Sequence, residues 1–148
     1  MKIASILFPV FNPYEKSTLE IYISGCNRKC DFCHNPELQN FNYGSELNIE
    51  ELIKYLSERN SLFEIISITG GDLLCQNEKE AINFVFNLKS YFSYKEFWLF
   101  TGEEIENCPK WVLDSFDVIK TGVYKEELKQ EGFPASTNQK LLKKGTNY

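Results

Sequence analysis

The chain has 148 residues, a net charge of −5 and five cysteines, an odd number. Its length predicts one domain, residues 1–148, with a buried core, and its acidic balance argues against a nucleic-acid partner. No apolar run approaches the length of a membrane span, and the N-terminus does not resemble a signal peptide. We therefore expect a cytoplasmic protein with no membrane partner, whose thiols are reduced or bind metal.

Five segments have the pattern of strands. The second alternates three apolar residues, Leu19, Ile21 and Ile23, with more polar neighbours, which is typical of a strand with one buried face. The predicted strands are 3–8, 19–24, 65–69, 97–100 and 118–121.

Three segments between these strands predict helices. Asn48 begins the first with a capping-box-like pattern, and Asn77 begins the second in the same way. The buried face of the second helix is predicted from Ile82, Val85 and Phe86. The third helix is expected to span about 109–116, because a proline at 109 suits a first helical turn.

Strands and helices that alternate in one direction predict an α/β fold with a mainly parallel sheet and right-handed crossovers. The chain is too short for a complete eight-unit barrel of about 250 residues, so we expect a partial, open (β/α) barrel. In such folds ligands bind beyond the C-terminal ends of the strands. Segments 25–38, 70–72 and 101–102 all follow predicted strands, and we expect one site where they meet.

Three cysteines lie close together in the first of these segments. Cys26, Cys30 and Cys33 are spaced so that a short loop can direct all three thiolates at one point, as a metal or cluster site requires. Closed structural zinc and four-iron sites take four protein ligands, so three cysteines suggest a metal centre with one open position. A zinc knuckle that includes His34, with other ligands elsewhere, is the alternative.

This spacing, with Phe32 in the aromatic position, resembles the Cys-x-x-x-Cys-x-aromatic-Cys motif of radical S-adenosylmethionine (SAM) enzymes. The resemblance implies that Cys26, Cys30 and Cys33 bind three irons of a [4Fe-4S] cluster, that the fourth iron binds the amino and carboxylate groups of SAM, and that Phe32 is a cofactor-binding residue. It also implies reductive cleavage of SAM to a 5′-deoxyadenosyl radical, which removes hydrogen from an unactivated C–H bond. The partial barrel expected above is then of the radical SAM type.

Gly70-Gly71-Asp72 resembles the family's Gly-Gly-Glu motif in an aspartate variant. From the residues alone, it is a turn that lets a ligand approach the backbone, with a carboxylate able to accept hydrogen bonds from a cation, or it is a plain strand-to-loop turn. The resemblance implies that it lies against the amino group of SAM. Thr101, followed by Gly102, resembles a Thr-Gly-Tyr element at a neighbouring strand end and is a further candidate cofactor-binding residue.

A narrower likeness extends through most of the chain. Segments 33–36, 97–102 and 136–139 resemble activases of glycyl-radical enzymes, in particular those of anaerobic ribonucleotide reductase. The resemblance implies two partners, the large subunit of that reductase and a flavodoxin- or ferredoxin-type electron donor. Thr121, preceded by Lys120, replaces an aspartate of the family and removes a carboxylate from the rim. Ala135 replaces a glycine.

We therefore expect a radical SAM oxidoreductase that removes hydrogen from a backbone glycine of the reductase, and no side chain is predicted to be catalytic. The alternatives are a radical SAM enzyme that acts on a small molecule, such as a 7-carboxy-7-deazaguanine synthase, and a pyruvate formate-lyase activase. A non-catalytic iron–sulfur or zinc protein is the alternative of a different class.

Several other residues have a simple structural interpretation. Cys75 is expected to be a small buried residue, although it could touch the site, and Cys108 is expected at the entry to a helix. Asn138 and Gln139 could hold a ligand or a partner backbone, or form an ordinary surface turn. The lysines of segment 140–144 are expected to form a solvated basic end.

Overall fold

A computed structural model describes the whole chain, residues 1–148, as one seven-stranded sheet with three α-helices. The predicted strands and helices are all present, with ends shifted by at most about two residues. No helix has both the length and the apolar character needed to cross a membrane. The strands are β1 (Lys2–Val10), β2 (Thr18–Ser24), β3 (Ser45–Glu46), β4 (Ile65–Gly70), β5 (Glu96–Phe100), β6 (Val118–Thr121) and β7 (Lys140–Lys143), and the helices are α1 (Ile49–Ser57), α2 (Glu78–Phe92) and α3 (Lys110–Ser115).

The sheet has the order β3-β1-β2-β4-β5-β6-β7. The four central strands, β2, β4, β5 and β6, run parallel, whereas β1 and β3 at one edge and β7 at the other are antiparallel to their neighbours. The α/β prediction is confirmed, and the four central strands are parallel as expected. The sheet is open, because β3 and β7 lie at opposite edges.

The helices cover one face of this sheet. Cross-strand neighbours such as Leu19 and Ile66 point to that face, and the alternating apolar residues of the other central strands continue it. Together with the apolar faces of the three helices they form a core cluster of 20 buried residues. Burial of this apolar surface is the main stabilisation of the fold.

The opposite face carries a smaller aromatic cluster and a buried polar group. Tyr14 packs edge-on against Trp98, with ring centroids 4.9 Å apart. Its hydroxyl lies 2.7 Å from Glu20 Oε1 and 2.8 Å from Ser67 Oγ, and Tyr22 donates a hydrogen bond to Glu20 Oε2. Glu20 is only 6% exposed, so this face of β2 is covered as well.

The predicted buried face of α2 is wrong at two of its three positions. Val85 is buried, but Ile82 and Phe86 are 39% and 68% exposed. The helix turns a neighbouring stripe toward the sheet, at the spacing i, i+3, i+4, i+7 and i+11. That stripe consists of Ala81, Phe84, Val85, Leu88 and Phe92.

The basic end predicted near residues 140–144 is a strand rather than a free tail. β7 pairs with β6 along its whole length, from Thr121 opposite Lys140 to Val118 opposite Lys143. The side chains of Lys140 and Lys143 are exposed, as expected of a solvated edge strand. Four residues with two lysines give too weak an alternation to predict such a strand.

Candidate metal and cofactor site

The three cysteines lie on a loop that follows β2. The loop is closed at its base by a hydrogen bond from Gly25 N to Leu38 O (2.8 Å). Lys29 and Phe32 have left-handed backbone conformations, with φ of 50° and 57°, which non-glycine residues seldom adopt. Each immediately precedes a cysteine, so the chain reverses just before Cys30 and again before Cys33.

All three thiols line one cavity of about 350 Å³ at the C-terminal ends of the parallel strands. The cavity is also lined by the Gly-Gly-Asp turn and by residues from the ends of β5 and β6. Its other lining residues include Arg28, His34, Gly70, Gly71, Asp72, Phe100, Thr101, Lys120 and Gln139. The structure therefore places segments 25–38, 70–72 and 101–102 around one site, as the topology predicted.

Three cysteine thiolates are the donor set that iron–sulfur clusters use, and all three side chains are partly exposed to the cavity. The donor chemistry therefore fits a cluster with an open position. In this structure no three His, Cys, Asp or Glu side chains are gathered around a single point. His34 also lines the cavity, and its ring packs edge-on against Tyr124 (5.4 Å between centroids).

A fourth thiol lies beside the loop. Cys75 donates a hydrogen bond to Asn27 Oδ1 (3.0 Å) and lies beside the thiol of Cys26. This contact, together with burial, raises the pKa of Cys26, and it lowers the pKa of Cys75 to about 7. Burial also raises the pKa of Cys30. Cys75 is therefore a polar neighbour of the loop and not the small buried residue expected from the sequence.

Phe32 contributes to the loop mainly through its backbone. Its side chain is 71% exposed and does not line the cavity. The left-handed turn at this residue presents Cys33 to the cavity, while the ring faces solvent.

The two glycines of the turn are required by close packing within the protein. A Cβ on Gly71 would lie 2.5 Å from Gly25 O, and one on Gly70 would lie 2.7 Å from Ile23 O. Gly70 also has a φ of +98°, which favours glycine. The missing side chains thus let the turn pack directly against the base of the cysteine loop.

Asp72 is the centre of a hydrogen-bond network and is only 2% exposed. Its carboxylate accepts hydrogen bonds from Arg28 Nε (2.5 Å), Thr101 Oγ1 (2.9 and 3.0 Å to its two oxygens), Gly102 N (2.9 Å) and Leu74 N (2.9 Å). A carboxylate offers about four acceptor positions, so these donors occupy all of them. Thr101, predicted as a cofactor contact, is here a hydrogen-bond partner of Asp72.

Two residues of this network were not found from the sequence. Arg28, inside the cysteine loop, pairs with Asp72 and, through Nη2, with Glu103 (3.1 Å). Gln76 Nε2 donates to Ser24 O, Gly25 O and Asp72 O at 2.9–3.1 Å. These two side chains join the cysteine loop to the Gly-Gly-Asp turn. Their partners are 44 to 75 residues away, except for Asp72 beside Gln76, and no local pattern reveals such contacts.

The two amides near the C-terminus have internal partners. Asn138 Nδ2 donates to Val123 O (2.8 Å), and Gln139 Nε2 donates to Gly122 O (3.0 Å). Gln139 is 8% exposed, so this is not an ordinary surface turn. Both amides fix the segment that follows β6. Cys108 lies two residues before α3, at the entry to the helix as expected, and its burial raises its thiol pKa to about 11.

The family model described as a 4Fe-4S single cluster domain matches residues 17–142. The chain belongs to this family of iron–sulfur domains.

Individual relatives are activating proteins. The chain is 33% identical over 127 residues to the anaerobic ribonucleoside-triphosphate reductase-activating protein of Enterobacteria phage T4. The match covers 82% of this chain and 80% of that relative. It is 27% identical over 128 residues to the protein of the same name from Salmonella typhimurium, covering 80% and 83%. It is also 36% identical over 62 residues to the pyruvate formate-lyase-activating enzyme of Clostridium pasteurianum, covering 39% and 26%. These relatives confirm the resemblance to activating enzymes stated from the sequence.

Proposed function

We propose that the protein is a glycyl-radical enzyme activase that reductively cleaves SAM and removes hydrogen from a backbone glycine of anaerobic ribonucleotide reductase. The observation that carries this proposal is the shared cavity, in which three thiols of one loop face the Gly-Gly-Asp turn and the end of β5. The relatives of similar length carry the name of an activating protein for this reductase.

In this proposal Cys26, Cys30 and Cys33 hold three irons of a [4Fe-4S] cluster, and SAM occupies the open position. When bound, the cluster supplies the electron that cleaves SAM. The chain's own residues hold the thiols and the ligand in place. Arg28 and Gln76 fix the cysteine loop against the turn before any ligand binds.

The Gly-Gly-Asp turn then meets the amino group of SAM chiefly through its backbone. Asp72 has no free acceptor position for an ammonium group while its four protein donors remain in place. Thr101 acts by holding Asp72. Phe32 has no cavity contact, and we assign its exposed ring to the surface that meets the protein partner.

The partner closes the site. Exposed aromatic side chains surround the cysteine loop, and Phe32, Phe41 and Tyr43 are 71%, 43% and 45% exposed. Exposed aromatic residues are enriched where proteins bind one another. A reactive intermediate must also be shielded from water, and an open sheet offers few segments for that purpose. We infer that a glycine-bearing loop of the reductase large subunit inserts above the cavity and serves as both substrate and cover.

Three further inferences belong to the same proposal. The open sheet is a partial barrel of the radical SAM type, formed by one domain that spans residues 1–148. The electron comes from a flavodoxin- or ferredoxin-type donor. The protein acts in the cytoplasm, where thiols remain reduced.

The test is anaerobic mixing of the reconstituted, reduced protein with SAM and the reductase of the same organism. We expect a doublet glycyl-radical signal in the electron paramagnetic resonance spectrum, followed by cleavage of the reductase at that glycine on exposure to oxygen. A parallel mixture with pyruvate formate-lyase tests the second activase function, favoured by the shorter match to that activating enzyme. Fast turnover of a small molecule, with no radical in either protein, would contradict the proposal.

A further inference from the structure

Cys75 lies directly against the start of the cysteine loop. Its thiol donates a hydrogen bond to Oδ1 of Asn27, the residue that follows Cys26, over 3.0 Å, and it lies beside the thiol of Cys26. Both thiols are partly exposed. The proposed function uses Cys26 as a cluster ligand and gives Cys75 no role, although the two sulfurs are neighbours.

The backbone segments that carry this thiol pair are fixed to each other. The carbonyl of Gly25, the residue before Cys26, accepts hydrogen bonds from Asp72 N (3.0 Å) and Gln76 Nε2 (2.9 Å). Cys75 lies between these two donors in a helical turn, which is closed by a hydrogen bond from Cys75 N to Asp72 O (3.0 Å). A disulfide can form only where two backbones lie close together and the thiols are adjacent. These contacts keep Cys26 and Cys75 adjacent, as a disulfide requires.

A second thiol beside a cluster ligand matters when the cluster is absent. Accessible thiols oxidise in steps, and the sulfenic acid can be reduced again whereas the sulfinic acid usually cannot. An adjacent thiol converts the sulfenic acid into a disulfide, which other thiols can reduce. Cys75 is positioned to protect Cys26 in this way. Cys108 is not, because it is buried and its thiol lies against Glu104 O (3.6 Å).

We propose that Cys26 and Cys75 form a redox-modification site, a disulfide that preserves the Cys26 thiol when the cluster-free chain meets peroxide. One thiolate attacks the peroxide, whose O–O bond breaks, and a sulfenic acid and one water are formed. The other thiol attacks the sulfenic sulfur, forms the S–S bond and expels a second water. The two thiols thus lose two electrons and two protons, which convert one peroxide into two waters. The site acts in the cluster-free chain, so it goes beyond the proposed function.

The test is mild oxidation of the cluster-free protein with hydrogen peroxide, followed by alkylation, digestion with trypsin and mass spectrometry without reduction. Trypsin cleaves at the two basic residues between Cys26 and Cys30, so Cys26 lies on a different peptide from Cys30 and Cys33. The expected product joins the peptide of Cys26 to the peptide 60–79, which carries Cys75. A disulfide confined to Cys26, Cys30 and Cys33, or sulfinic acid on Cys26 beside a free Cys75, overturns the proposal.

Cys75→Ser tests the protection of Cys26, because it keeps a hydroxyl for Asn27 Oδ1 and removes the sulfur. Handled anaerobically, it should assemble its cluster like the unaltered protein. After peroxide, reduction with dithiothreitol and reconstitution, the unaltered protein should regain most of its iron and sulfide, whereas Cys75→Ser should regain less than about half as much.

Cys108→Ala is the matched control and should recover like the unaltered protein, and Cys75→Ala is a second variant if Cys75→Ser folds poorly. Equal recovery in the variants of Cys75 and Cys108 overturns the protective role. The readouts are disulfide and iron content, so a failure here is distinct from a failure of the radical-transfer test of the proposed function.

Discussion

The two sides of the cavity differ in how their polar groups are paired. On one side, Asp72 is buried and accepts hydrogen bonds from Arg28, Thr101 and two backbone amides. On the other side, Cys30, Cys33 and Lys120 line the same cavity without a hydrogen bond or ion pair to another side chain.

This difference separates scaffold from ligand-binding groups. A network whose donors and acceptors are all satisfied holds its geometry without a ligand. Groups left without partners in a cavity gain them when a ligand binds. Substitutions on the paired side should therefore lower the stability of the protein itself, whereas those on the unpaired side should affect ligands and leave stability unchanged or higher.

The largest expected effect is on the unpaired side. Cys30→Ala removes one of the three proposed thiolate ligands, so the reconstituted protein should lose its four-iron spectrum and its SAM cleavage completely. The unfolding free energy of the cluster-free protein should change by less than about 0.5 kcal/mol, because Cys30 is partly exposed. Iron analysis, absorbance and urea unfolding measure these properties.

Two other cysteines are the controls for this prediction. Cys75→Ala and Cys108→Ala should keep both the cluster and SAM cleavage, since neither thiol lines the cavity. A full four-iron cluster in Cys30→Ala would contradict the assignment of Cys26, Cys30 and Cys33 as the three cluster ligands. Cluster loss in Cys75→Ala would instead make Cys75 a fourth ligand.

The second effect is on the paired side. Asp72→Ala leaves Arg28, which is 18% exposed, without its nearest counter-charge and deprives Thr101 Oγ1 of its acceptor. Breaking such a pair by removing one member costs about 3–5 kcal/mol. Urea unfolding of the cluster-free protein should show a loss of this size.

An exposed ion pair provides the comparison for Asp72. Lys110 and Asp114 are four residues apart on α3, and both side chains are largely exposed. Asp114→Ala should cost only about 0.3–0.5 kcal/mol. Equal losses in the two variants would show that the Asp72 network is not a scaffold.

The smallest effect is a gain in stability. Lys120→Met removes an unpaired, partly buried charge, so the cluster-free protein should become more stable by about 0.5–2 kcal/mol at pH 7. A base whose pKa is lowered in the folded protein costs stability below that pKa, and the cost disappears as the pH rises toward the unfolded pKa. The gain should therefore shrink as the pH approaches about 10. A loss of stability at pH 7 would indicate a structural role for Lys120.

The sequence predicted the helix-covered face of the sheet well. The burial of alternating apolar residues such as Leu19, Ile21 and Ile23 can be predicted from local periodicity, and these residues lie in the core as expected. Glu20 follows the same alternation on the other side, but it is buried beneath Tyr14. Local periodicity could not predict this, because the covering residue comes from outside the strand.

The candidate site was predicted in part. Its position followed from the order of strands, and its thiols followed from their spacing. The roles of Asp72, Arg28 and Gln76 could not be predicted, because they depend on contacts between distant segments. The reason for the two turn glycines could not be predicted either, since they are needed for close packing of Gly70 against Ile23 and of Gly71 against Gly25.

One measurement tests most directly whether the unpaired side holds a cluster with an open position. The anaerobically reconstituted, reduced protein is examined by electron paramagnetic resonance with and without SAM. We predict a reduced four-iron signal that changes shape when SAM is added, because SAM would bind the iron that lacks a cysteine ligand. A four-iron signal that SAM leaves unchanged, or a protein that binds zinc and forms no cluster, would contradict the account.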